Sequence, residues 1–183
     1  MASQESQLRP PTRAQLRSAG FALAHALASV EGGDTLCTLA IVRRDEKVEL
    51  IRYEAPTGPA SVLGAHKDLS TRLSAGGDAA LVYDGYATID DVRRDAMIVE
   101  ILGPDGVVQA RLLQPYRPAR FGRLLGLLRA RGAPLPGGVQ VIGQPMAESP
   151  LPEGASDALA RGLAEHPYGR KAYRLDRLDA DDT

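Results

Sequence analysis

Apolar and polar positions alternate along this chain in two rhythms. Leu16, Gly20, Leu23, Leu27 and Val30 recur every three to four positions, the spacing that lines one face of an α-helix. Pro10-Pro11 precedes this stretch, and Thr12 with Gln15 fits a capping box, where each side chain satisfies a free amide of the first turn. Gly32-Gly33 follows as the stop. A second helical stretch runs from about Ala60 to Ala75, with Val62, His66, Leu69 and Leu73 on one face, and ends at Gly76-Gly77-Asp78. Both glycine pairs come after a helix. Phosphate loops place glycines before a helix N-terminus, so these read as C-terminal caps.

The other rhythm has a period of two and marks strands near 35–43, 47–55, 79–89, 96–102 and 107–116. "RDEK" and "GPDG" supply hairpin turns. Pro118 can open a third helix, with Phe121, Leu124, Leu125 and Leu128 as its stripe. Beyond Arg131 the chain turns rich in proline and glycine, with a short helix near Ser156–Glu165 and a charged end, "RLDRLDADDT". The expected organisation is a leader over 1–11, an α+β domain over 12–131, and a linker with short helix and acidic tail over 132–183. In the domain, helices flank a mostly antiparallel five-stranded sheet in the order α-β-β-α-β-β-β-α.

That order, over residues 12–131, resembles the roadblock/LC7-like fold, whose members often form dimers and bind small GTPases. The resemblance implies a homodimer. The stretch from Leu81 to Val99, with "DGY" and then "RRDAMIV", is similar to small uncharacterised bacterial proteins and implies no activity.

Composition narrows the function classes. The net charge of the 183 residues is −1, and Trp is absent. A global field for nucleic acid is therefore missing, and stacking platforms for bases are scarce. Nineteen of the 22 basic residues are arginine, a bias that together with abundant Ala, Gly and Pro fits a GC-rich bacterial genome. The lone Cys37 leaves no internal disulfide. The polar leader reads as no secretory signal, and no apolar run approaches the ~20 residues of a membrane span. The expected compartment is the cytoplasm.

The charge distribution is more telling. Gly106 to Ala147 contains no Asp or Glu, yet holds Arg111, Arg117, Arg120, Arg123, Arg129 and Arg131. Arg117, Arg120, Arg123, Arg129 and Arg131 form a candidate docking surface for a protein partner with an acidic surface. The plain alternative is a solvated helix face with arginine stems over apolar neighbours. Nucleic-acid binding through the 111–131 segment is a weaker reading.

Candidate chemistry is sparse. Asp84, Asp90, Asp91, Asp95, Glu100 and Asp105 crowd one region, but without the alternating ligands of a calcium loop. Asp84-Gly85 suggests a strand bulge, and Asp90-Asp91 with Asp95, Arg93 and Arg94 a solvated connection. Cys37 reads as a small core residue of the first strand. His25 is expected at the surface, His166 in the tail, and His66 on the apolar stripe of the second helix. No histidine pair has ligand spacing, and no nucleophile elbow, Walker loop or Rossmann fingerprint occurs. Metal and cofactor are expected to be none. The leading expectation is a non-catalytic interaction module. The rival is a small enzyme with a dispersed site near Asp84, Tyr86 and His66.

Overall fold

The computed structural model describes residues 10–31, 34–45, 47–117, 140–141, 146–148 and 150–173. The first helix, α1, is Arg13–Val30, opened by the expected capping box: Gln15 N–H donates to Thr12 Oγ1 (3.2 Å) and Thr12 N–H to Gln15 Oε1 (2.7 Å). Strands β1 (Thr38–Arg44) and β2 (Lys47–Tyr53) form a hairpin. Helix α2, Gly58–Leu73, starts at Thr57 with Pro59 in its first turn. It stops before Gly76 and Gly77, whose φ values of 96° and 104° suit residues without a Cβ. Strands β3 (Asp78–Ile89), β4 (Val92–Leu102) and β5 (Val108–Arg117) follow as a meander.

The order across the sheet is β2-β1-β3-β4-β5, and every pairing is antiparallel. Two short strands, β6 (Gln140–Val141) and β7 (Met146–Ala147), both pair with the outer edge of β5. The fold is thus α+β on an antiparallel sheet, with two short strands added to the five expected. Helices α3 (Ala155–Glu165) and α4 (Pro167–Tyr173) complete the described residues. The helix expected from Pro118 to Arg131, Gly32-Gly33 and the tail from Asp176 to Asp182 lie outside them.

One face of the sheet packs on α1, α3 and α4. Leu39, Ile41, Val82, Met97, Val99, Ile101 and Leu112 meet Leu16, Leu23 and Leu27 of α1, and Leu159, Leu163, Tyr168 and Tyr173 join the same core. The segment that reads as a linker and tail therefore contributes two helices to the main body. Its close approach rests on glycine. A Cβ on Gly162 would overlap the carbonyl oxygen of Arg17, and one on Gly20 would overlap that of Leu159, so the α1 and α3 backbones touch. The other face packs on α2: Ala40, Val42, Ala79, Leu81 and Leu102 meet Ala65, Leu69 and Leu73.

Two local expectations need correction. The register of β3 on β4 runs unbroken through Asp84↔Met97 and Gly85↔Ala96, so no bulge sits there. The irregularity lies instead between Ile101 and Leu102 of β4 against β5. Gly85 is small because the Ile98 side chain occupies the place its Cβ would take (2.7 Å). Cys37 lies just before β1 rather than within it; it is half-buried, with Sγ 3.4 Å from the Tyr53 carbonyl oxygen. Asp90-Asp91 forms the two-residue hairpin turn, both residues at positive φ (50° and 59°), the backbone of a type I′ turn.

Candidate functional site

The site grows from the way α2 is tied down. Thr38 Oγ1 and Ser61 Oγ lie 2.6 Å apart and fix its first turn to β1. Tyr53 O–H donates to Asp68 Oδ2 (2.8 Å), and Arg72 reaches both Asp68 and Glu49, fixing its other flank to β2. Ser61, Ala65, Leu69 and Leu73 run down the buried middle of α2. Val62 and His66, one residue further round, overhang β3 and β4. There the helix and the strand leave a cleft of about 410 Å³, lined by Gly58, Pro59, Val62, Leu63, His66, Tyr83 and Asp84. The volume lies in the range of small-ligand sites. Leu63 stands 73% exposed at the rim.

Behind His66 sits Glu100, only 2% exposed. Residues opposite each other in adjacent strands share a face, so Glu100, paired with Leu81 and Arg111, points toward α2. Its Oε1 accepts from Tyr83 O–H (2.9 Å), Arg111 Nε–H (3.0 Å) and Arg111 NH2 (2.7 Å). Its Oε2 lies 2.8 Å from His66 Nε2. That contact is close but poorly aligned for a hydrogen bond. Arg111 also reaches Glu148 beside β7 (3.1 Å). Burial, then the charge and hydrogen bond of Glu100, push the Tyr83 phenol well above its ordinary range. The hydrogen bond to Glu100 likewise raises Arg111. Glu100 Oε1 and Arg111 are thus committed to neighbours, while Glu100 Oε2 is buried without an aligned donor.

The residues singled out by sequence separate. His66 lines the cleft. Asp84 contributes to its wall, yet its carboxyl turns to the opposite face, where Tyr116 O–H donates to Oδ1 (2.9 Å). Partial burial raises this carboxyl, the Tyr116 hydrogen bond opposes that, and nearby Asp95 adds to it. Tyr86 alternates onto the same opposite face, exposed, with the Arg93 guanidinium 3.9 Å above its ring. Asp84, Tyr86 and His66 therefore do not converge. Of the proposed docking arginines, Arg117 lies exposed at the end of β5. Arg120, Arg123, Arg129 and Arg131 fall outside the described residues. Among the described residues no three His, Cys, Asp or Glu side chains group as metal ligands, and no helix is long and apolar enough to cross a membrane.

Two clusters escaped the sequence reading. Glu100 was legible as a lone acid in the apolar run "MIVEIL", where a period of two places it between Ile98 and Leu102. The other is a ring cluster between α1 and the α3–α4 junction. Phe21 and His25 stack at 6.5 Å, and His166 meets both edge-on at 5.5 and 5.6 Å. Burial and then the Arg52 charge lower His25, whose Nε2 is buried without a partner. Burial and then His25 lower His166. Both histidines were expected at the surface or in the tail; α4 brings them together. No protein-family model, curated protein or solved structure matches the chain.

Proposed function

We propose that this protein is a non-catalytic binding and interaction module, and that its binding site is the α2–β3 cleft. The carrying observation is the contrast within that cleft: its walls are mostly apolar, while the ionisable groups behind it are locked to one another. None of the lining residues is a Ser, Thr or Cys that could serve His66 as a nucleophile. An enzyme with a site at Asp84, Tyr86 and His66 is less well supported, because these side chains point to opposite faces.

The partner we infer for the module is a protein with an acidic surface, supported by the six arginines of the acid-free 106–147 stretch. Self-association as a homodimer belongs to the same reading. Supporting it are the roadblock/LC7-like element order and the edge strand β2, which among the described residues pairs only with β1 and exposes Val48 and Leu50. Sedimentation at micromolar concentration should give twice the chain mass, falling to one chain in Val48→Lys; a monomer for the parent protein rejects the homodimer.

The cleft is tested by titrating 1-methylindole, an apolar ring, into isotope-labelled protein. Amide shifts should concentrate at Val62, Leu63 and Tyr83 and disappear in Val62→Asp. Shifts scattered over the surface, or none, would remove the cleft as a binding site.

A further inference from the structure

Taking the cleft as a binding site, we propose that it selects ligands with an apolar, ring-sized body and one hydrogen-bond donor, and that His66 Nδ1 is the acceptor that reads the donor. The preference originates at Glu100. Its Oε1 already receives three donors, from Tyr83 and the Arg111 fork. Its Oε2 is buried and has no well-aligned donor, and His66 Nε2 stands 2.8 Å away. A carboxylate can only accept, so the nitrogen facing it carries the hydrogen. In a neutral imidazole the other nitrogen is then a bare acceptor.

With Nε2 turned inward to Glu100 and the ring lining the cleft, we infer that Nδ1 is the nitrogen open to a ligand. His66 is one-third exposed, and among the described residues Nδ1 bonds to nothing. The remaining polar groups at the cleft are spent elsewhere: the Tyr83 hydroxyl on Glu100, the Asp84 carboxyl on Tyr116. A ligand entering the cleft meets apolar surface and one acceptor. A purely apolar ligand would strip water from Nδ1 and leave it unpaired, which disfavours it against one that donates. Glu100 sets this preference from behind without touching the ligand, because it decides which ring nitrogen is bare.

Indole and 1-methylindole differ in the donor and hardly in shape, so they separate this inference from the binding-module reading. Both are titrated into the protein at pH 9, above the ordinary imidazole range, with amide shifts at Val62, Leu63 and Tyr83 as the readout. Indole should bind about 3- to 10-fold tighter, the worth of one hydrogen bond. His66→Phe should still bind 1-methylindole and lose the preference. Imidazole 15N shifts of the free protein should report Nδ1 without a proton, and Glu100→Gln, whose amide can donate to Nε2, should move the proton to Nδ1. Equal affinity for the two probes, a preference that survives in His66→Phe, or a protonated Nδ1 in the parent protein overturns this inference and leaves the cleft as a binding site. If neither probe shifts the cleft residues, both readings fall together.

Discussion

Against α1 the sheet presents mostly aliphatic side chains, and the helix above them is clasped by α3 through touching backbones. Against α2 the same sheet presents a shorter aliphatic patch that gives way, over β4 and β5, to a buried carboxylate, an arginine, a tyrosine and a histidine. The first face is closed where the α1 and α3 backbones touch, and the opening of about 320 Å³ between these helices is lined by Arg13, Arg17, Asp157 and Arg161, outside the aliphatic core. Among the described residues the second is covered by a single helix that is pinned on the β1–β2 side and overhangs on the other. A half-covered sheet face is where a binding cleft can form without opening the core, because the main aliphatic body is closed from the opposite side.

That contrast can be broken most violently at Gly162. Gly162→Ala places a methyl group on the Arg17 carbonyl oxygen and must push α3 off α1. The expected loss is about 3 kcal/mol, the upper part of the overpacking range, read as a lower denaturant midpoint. The α2 face should yield less. Arg111→Ala leaves Glu100 buried with Tyr83 and His66 as its remaining partners. Because Arg111 is 40% exposed, the expected cost is about 2 kcal/mol rather than that of a fully buried pair. Arg111→Lys, which keeps the charge and loses the fork, should fall between.

Acid should discriminate the faces next. Burial lowers His25 and His166, so the packed state favours their neutral forms. The unfolded chain takes up protons near the ordinary imidazole value of ~6.5, while the packed rings resist until lower pH. Their contribution is therefore whole above about pH 6.5 and declines as pH falls below it. Asp78 and Asp84 are raised by burial and pull the other way, so the histidine effect is read as a difference. Between pH 7.5 and 5.5 the melting temperature of the parent protein should drop further than that of His25→Asn; equal drops would show that the ring cluster does not sense acid. The smallest effect sits on the outer side of α2. A Cβ on Gly64 meets nothing within 4 Å, so Gly64→Ala should stabilise by about 0.5–1 kcal/mol through helix propensity. A glycine-to-alanine change thus carries opposite signs on the two sides of the sheet.

The sequence disclosed elements better than their partners. Thr12 with Gln15 and Gly76-Gly77 were readable because their chemistry is local, completed within a few residues; the solvated connection expected of Asp90, Asp91, Arg93, Arg94 and Asp95 is instead a two-residue turn, with Arg93, Arg94 and Asp95 paired inside β4. Gly162 and Gly20 were not, because the reason for each lies in the backbone of the other's helix, some 140 positions away. Glu100 carried a signal, a single acid on an apolar strand face, but its partners Tyr83, Arg111 and His66 come from three other elements. Asp84-Gly85 misled in the same way. A glycine in a strand suggests a bulge when read locally, and the true cause is a side chain on the neighbouring strand.

The α1–α3 clasp also sets a schedule. Synthesis proceeds at roughly 5–20 residues per second, so about 7–30 seconds separate the making of Gly20 from that of Gly162. Through that interval α1 lacks the helices that cover its far side, and Gly20 and Ala24 stand without the α3 and α4 backbones that later close on them. The chain reaches its closed state only after a contact of very long sequence separation, the kind that slows folding. A nascent protein of this design waits with its first helix half-dressed, and whatever shields that helix in the meantime must leave again before α3 can arrive.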